Sequence, residues 1–195
     1  MKIGMVLLAA GKGERFGQSK LETQLNNKPI IEYILSNIPV SVFHNIVIVA
    51  ANNNILNIAY KYKISGIINS QPELGLAKSI EMGTRHVHGS DAYMYCVSDQ
   101  PLLKKSTIEN MVSAYKKGTM LALSHNNKRG NPVIFPDFLY DELVSLKPNE
   151  TGQKVINAHL DILEHFETLD YTELMDIDTP HNFVEIKNII DKKAF

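Results

Sequence analysis

The chain has a single cysteine, Cys96, and no tryptophan among its 195 residues. One thiol excludes an intrachain disulfide, and the apolar run around it marks it as a small buried hydrophobe. A surplus of charge is missing as well, since 20 basic and 21 acidic side chains leave a formal net charge of −1. Such a balance argues against nucleic acid or an anionic membrane as the main partner, although a few cations can still converge locally. Long apolar runs are also scarce. The run at residues 5–10 is too short to span a bilayer and carries no leader-peptide cleavage pattern, so the chain reads as cytoplasmic. The seven histidines are scattered, and His86 and His88, two apart on a predicted helix, face different directions. With no cysteine cluster beside them they give no zinc site. No Gly-x-Ser-x-Gly segment supports covalent hydrolysis.

The remaining composition is that of an ordinary globular protein, 44% hydrophobic and 21% charged. The length suits one domain over residues 1–195. Apolar runs alternate with amphipathic stretches. This predicts a single-domain, Rossmann-like α/β three-layer sandwich, a mostly parallel sheet with helices on both faces. Strands are expected at 3–10, 46–50, 66–69, 92–97, 120–124, 132–135, 163–169 and 174–177. Helices are expected from Pro29 onward, then at 52–62, 75–87, 107–117, 137–145, 153–160 and from Pro180 to about 191.

The most informative stretch follows the first strand: Leu8-Ala9-Ala10-Gly11-Lys12-Gly13-Glu14-Arg15-Phe16-Gly17-Gln18-Ser19-Lys20-Leu21. Glycines at 11, 13 and 17 let the backbone approach an anion closely, and peptide N–H groups there can face phosphate oxygens. Arg15 can fork onto a phosphate and Lys20 can add a point charge. A Walker A loop would need Gly-Lys-Ser/Thr at the helix start, which is absent. A dinucleotide loop would need glycine at Phe16 and an acid after the second strand, where Ala51-Asn52 stands instead. Asp99 ends one apolar strand and Asp178 precedes the Thr179-Pro180 helix start. On placement alone each acid could equally be a metal ligand or a cap.

These segments resemble the signature of MobA/MocA-type nucleotidyltransferases. The resemblance continues through residues 69–79, Ser98-Asp99-Gln100-Pro101-Leu102, Arg129-Gly130-Asn131-Pro132-Val133 and Asp176-Ile177-Asp178-Thr179-Pro180. It implies a nucleotide-diphospho-sugar-transferase-like fold and transfer of a nucleotide to molybdopterin with loss of pyrophosphate. It further implies Mg²⁺ held by Asp99 and Asp178, with Asp176 a bystander. Leu8, Ala9, Ala10, Gly11, Gly13, Arg15, Lys20, Gly75 and Ser79 would bind the nucleotide, and Arg15, Lys20 and Asp99 would carry catalysis. Asn131 and Pro132 would lie on the acceptor side. Ala10 and Ser19 resemble the cytidylyltransferase branch, which implies CTP as donor and a molybdenum hydroxylase as recipient of the product. Residues 149–153, Asn-Glu-Thr-Gly-Gln, depart from the family's Gly-Asp-x-Gly-Ala. Guanylyl transfer, a sugar-phosphate or methylerythritol-phosphate acceptor, and a non-catalytic cofactor-delivery module are the competing readings.

Overall fold

The computed structural model describes residues 1–11 and 20–193. Strand β1 (Ile3–Ala9) is buried at every position, as its unbroken apolar sequence requires. It pairs in parallel with β4 (Asn45–Ala50) on one side and β6 (Ala92–Val97) on the other. Strand β5 (Ser65–Ile68) extends the sheet beyond β4, also in parallel. On the far side β8 (Lys128–Pro136) pairs antiparallel with β6 and with β7 (Met120–His125), and β9 (Leu163–Glu167) closes the edge parallel to β7. The order of the seven strands is β5-β4-β1-β6-β8-β7-β9.

Alternation along β1 splits the core into two layers. Met5, Leu7 and Ala9 pack with α1 (Ile30–Asn37), α2 (Asn53–Lys61), α4 (Lys105–Ala114) and α7 (Pro180–Lys193). Val6 and Leu8 pack with α3 (Leu76–His86), α5 (Tyr140–Val144) and α6 (Gly152–Ala158). Helices therefore cover both faces of a mostly parallel sheet, as the alternating pattern predicts. Among the described residues no helix is long and apolar enough to cross a membrane.

Three local expectations need correction. Residues 174–177 form no strand. Leu174 ends a 3₁₀ turn, and the chain then runs as an extended strap whose Ile177 N–H donates to Asp99 O at 3.0 Å. Its apolar spacing reflects packing into the core, where Ile177 is fully buried. Pro29 is not the first helical residue; it lies in β3 (Lys28–Pro29), which pairs with β2 (Gln24–Leu25), and α1 begins after it. The strand expected at 132–135 starts earlier, at Lys128, because the turn after β7 narrows to Asn126 and Asn127, both at positive φ. Two such residues match the strand twist of a tight hairpin.

Candidate functional site

The order β4-β1-β6 places a switch in chain direction between β1 and β6. The connection from β1 runs to one side and β6 lies on the other, so a crevice opens at their carboxyl ends. The register Leu8↔Val97 brings the start of the glycine loop beside Ser98 and Asp99. Ser98 fastens the two ends: its N–H and its Oγ both donate to Leu8 O, at 3.2 and 2.7 Å.

Lys20 returns to this crevice from the far end of the loop. Its Nζ lies 2.7 Å from Asp99 Oδ2 and 3.2 Å from Asp178 Oδ1. Burial alone would lower its pKa, but Asp99 and then Asp178 outweigh that and hold the ammonium above its ordinary value. The two acids thus share one cation, and the strap 174–178 that carries Asp178 is bonded back to Asp99 through Ile177. That strap is anchored upstream by Glu173, a buried carboxylate that accepts from Lys104 N at 3.1 Å and Thr168 Oγ1 at 2.8 Å.

Asp176, expected as a bystander, lies within the site. Burial raises its pKa to about 6, with Asp99 and Asp178 adding to the rise and the Gln100 hydrogen bond and Lys20 offsetting part of it. Its Oδ1 is buried and has no hydrogen-bond partner among the described residues. Such an oxygen beside two carboxylates suits a place that takes up positive charge or donor groups.

Beside these acids lies a cavity of about 350 Å³. Leu8, Leu76 and Ile80 line it, so the end of β1 and the first turns of α3 meet there. Tyr95 and Phe135, in edge contact at 5.4 Å between ring centroids, add aromatic surface. Arg129, Asn131, Thr151, Gln153 and Asp176 add polar groups, and Arg129 Nη2 donates to Gln153 Oε1 at 2.6 Å. The departing segment 149–153 therefore has a visible role: Thr151 caps α6, and Gln153 engages the cavity's arginine.

Not every expected residue faces open space. Ala9 and Ala10 are buried, whereas Gly11 is exposed, and a Cβ built there would meet nothing within 4 Å among the described residues. Gly75 holds φ at 72° as α3 begins, a conformation that side chains other than glycine adopt at a cost. Ser79 is buried, and its Oγ accepts from Asn69 Nδ2 at 3.0 Å, which ties α3 to the segment after β5. Pro132 continues β8 past Asn131 through a cis peptide. Gly13 and Arg15 lie outside the described residues. Sequence alone does not mark Gln100, Arg129 or Gln153. Gln100 and Arg129 stand inside the segments 98–102 and 129–133, but nothing in their spacing announces a cavity.

Comparison with known proteins bears on the fold and the family. A family model described as the MobA-like NTP transferase domain matches residues 5–163. The bifunctional protein GlmU of Buchnera aphidicola subsp. Baizongia pistaciae is 28% identical over 173 residues, 80% of this chain and 38% of that protein. A probable molybdenum cofactor guanylyltransferase of Thermococcus gammatolerans is 29% identical over 119 residues, 59% of this chain and 57% of that protein. The chain thus spans well under two thirds of either relative's length. Among solved structures, a nucleotidyl transferase from Methanothermobacter superposes with a TM-score of 0.83 at 18% identity, covering 98% of this chain and 99% of that one. The family match covers most of the chain, and residues 8–21, Asp99 and β8 fall within it. The chain belongs to the family of MobA-like NTP transferase domains.

Proposed function

We propose that this protein is a divalent-metal-dependent nucleotidyltransferase that moves CMP from CTP to molybdopterin and releases pyrophosphate. The supporting observation is the meeting of Lys20, Asp99 and Asp178 at the crevice between β1 and β6. Two carboxylates close enough to share one ammonium are close enough to share one divalent cation. Mg²⁺ needs no more protein ligands than these and fills its shell with phosphates and water. A bound Mg²⁺ would neutralise the crowded phosphate oxygens.

The chain's own groups do the remaining work. Asp99 and Asp178 hold the metal position, and Lys20, released from them, turns its charge to the triphosphate. Arg15 and the amides of Gly11 and Gly13 take the β- and γ-phosphates. Leu8 and Ala10 border the nucleoside, with Gly75 allowing the first turn of α3 to approach it. The acceptor's phosphate oxygen then attacks the α-phosphorus. A new P–O–P bond forms, the α–β anhydride bond breaks, and pyrophosphate leaves with the electron pair. The acceptor oxygen is already ionised at neutral pH, so positioning and fixed charge suffice without a strong base. Asn131 and Pro132, on the strand bordering the cavity, would meet the acceptor, and the product would pass to a molybdenum hydroxylase.

Ala10 and Ser19 favour CTP, whereas the Thermococcus relative's description favours GTP. A pyrophosphate-release assay with four nucleoside triphosphates, Mg²⁺ and molybdopterin tests the proposal. Release with CTP well above the other three supports it. Preference for GTP would move the protein to guanylyl transfer, and release only with a sugar phosphate or methylerythritol phosphate would replace molybdopterin as acceptor.

A further inference from the structure

Lys20 opens a 3₁₀ turn, Lys20–Glu22, which Thr23 N–H closes on Lys20 O at 3.2 Å. Leu21 pins the middle of this turn in the core layer that also holds Ile30, Ile31 and Ile34 of α1. Glu22 fastens its end to a distant part of the chain. Its Oε2 accepts from Asn52 Nδ2 and its Oε1 from Asn54 Nδ2, both at 3.1 Å. Asn52 is itself the N-cap of α2, with its Oδ1 accepting from Ile55 N–H at 3.1 Å. The residue before it, Ala51, donates its N–H to Ala9 O at 3.2 Å, so the anchor is continuous with the carboxyl end of β1.

This arrangement is stiff for two reasons. A carboxylate at a helix N-terminus meets the positive end of the helix dipole. Two amides from adjoining positions of one capped helix also hold both of its oxygens, which leaves the carboxylate no free rotation. Lys20 stands two residues away in the same turn. Its side chain is a flexible four-carbon stem carrying a point charge, so a fixed Cα still lets the ammonium change partners. Delivering that charge to one place repeatedly requires the base of the stem to stay still.

We infer that Glu22 is a positioning residue for Lys20: by clamping the turn onto Asn52 and Asn54, it fixes where the lysine's stem begins. Only the stem then moves between Asp99 and Asp178 at one extreme and the triphosphate at the other. The triphosphate half of the inference rests on the transferase reading above. The acid half rests on the Lys20, Asp99 and Asp178 contacts alone.

A double-mutant cycle tests the clamp, because a residue that acts through Lys20 loses its effect when Lys20 is gone. Calorimetric titration of CTP with Mg²⁺ is run on wild type, Glu22→Ala, Lys20→Met and the double variant. Glu22→Ala should weaken binding at least fivefold in the wild-type background and less than twofold in Lys20→Met. Glu22→Gln should stay within twofold of wild type: its carbonyl oxygen still accepts from Asn52, and Asn54 can turn its amide to accept from the new Nε2. No loss in Glu22→Ala, an equal loss in both backgrounds, or a loss in Glu22→Gln as large as in Glu22→Ala would overturn the assignment. Mn²⁺ binding without nucleotide reads the same cycle through the acids. There Glu22→Ala should bind at least threefold more tightly than wild type and add nothing to Lys20→Met; unchanged Mn²⁺ binding would overturn the clamp. Should Glu22→Ala not fold, Asn54→Ala at an exposed position should shift both titrations in the same directions to a smaller extent, and no shift would overturn the clamp. Failure of wild type to bind CTP removes the transferase reading, and the Mn²⁺ cycle then decides on the clamp alone.

Discussion

Lys20 Nζ lies 2.7 Å from Asp99 Oδ2 although 79 positions separate the two residues. With Asp178 Oδ1 at 3.2 Å on its other side, the ammonium occupies the position between the carboxylates that the proposed divalent cation would take. This predicts a swap in which metal and triphosphate together draw Lys20 off the acids.

Replacing Lys20 by methionine tests that swap. Pyrophosphate release should fall on the order of 100-fold or more, the loss typical for one charge-stabilising donor. Without nucleotide, however, Lys20→Met should bind Mn²⁺ more tightly than the wild type, read by the decrease in free-ion paramagnetic resonance signal. Weaker Mn²⁺ binding by the variant would show that the lysine does not compete for the carboxylates.

Asp176 gives a pH prediction. Its folded pKa, about 6, lies above the ordinary aspartate value of 3.8. Well below pH 3.8 both folded and unfolded forms are protonated, and the group favours neither. As pH rises from 4 through 6 the unfolded chain ionises first, so the folded state loses stability, by at most about 3 kcal/mol for a shift near two units. In metal-free buffer Asp176→Asn should therefore melt several degrees above wild type at pH 7.5 and close to it at pH 4. A constant difference at both pH values would contradict the buried-carboxyl account.

The strap anchor makes a third prediction. Glu173 accepts from Lys104 N and Thr168 Oγ1 while 2% exposed, with Lys104 Nζ at 3.6 Å. Truncation to alanine leaves those donors unpaired and should cost about 2–4 kcal/mol of stability by denaturant unfolding. It should also raise the Mg²⁺ concentration needed for half-maximal pyrophosphate release, because Asp178 follows the strap. Glu173→Gln, whose carbonyl oxygen can still accept from Lys104 N while its amide nitrogen donates to Thr168 Oγ1, should recover part of both losses.

Gly83 decides how closely α3 lies on β1. A methyl group built there would overlap Val6 Cγ1. Alanine in a helix interior gains roughly 1 kcal/mol over glycine, but overpacking a filled core costs about 1–3 kcal/mol. The net change should be a lower Tm for Gly83→Ala, partly restored when Val6→Ala is added. A rise in Tm for the single variant would mean that α3 can shift outward freely.

Much of this architecture is legible in the sequence, for a physical reason. Strands buried on both faces, such as β1, must be apolar at every position, and helices between them must show a one-sided stripe. The carboxyl ends of β1 and β6 therefore announce themselves, and with them Gly11 and Asp99. What escapes is set by tertiary contacts rather than by periodicity. Leu174, Met175 and Ile177 read like a strand, yet they pack as a strap, with Met175 N–H closing the 3₁₀ turn on Thr172 O and Ile177 N–H reaching Asp99 O. Asp176 cannot be told from a surface acid until the strap folds it under Gln100. Ser79 looks equally fit to face a ligand or a neighbour, and Asn69 claims it. Arg129 and Gln153 lie 24 positions apart, and no local signal joins them.

Calorimetric titration of CTP into the protein, with and without Mg²⁺, tests the three-residue cluster most directly. Wild type should bind CTP in a metal-dependent way, and an Asp99→Asn, Asp178→Asn double variant should bind it at least 100-fold more weakly with Mg²⁺ present. Undiminished, metal-dependent CTP binding by that double variant would contradict the account.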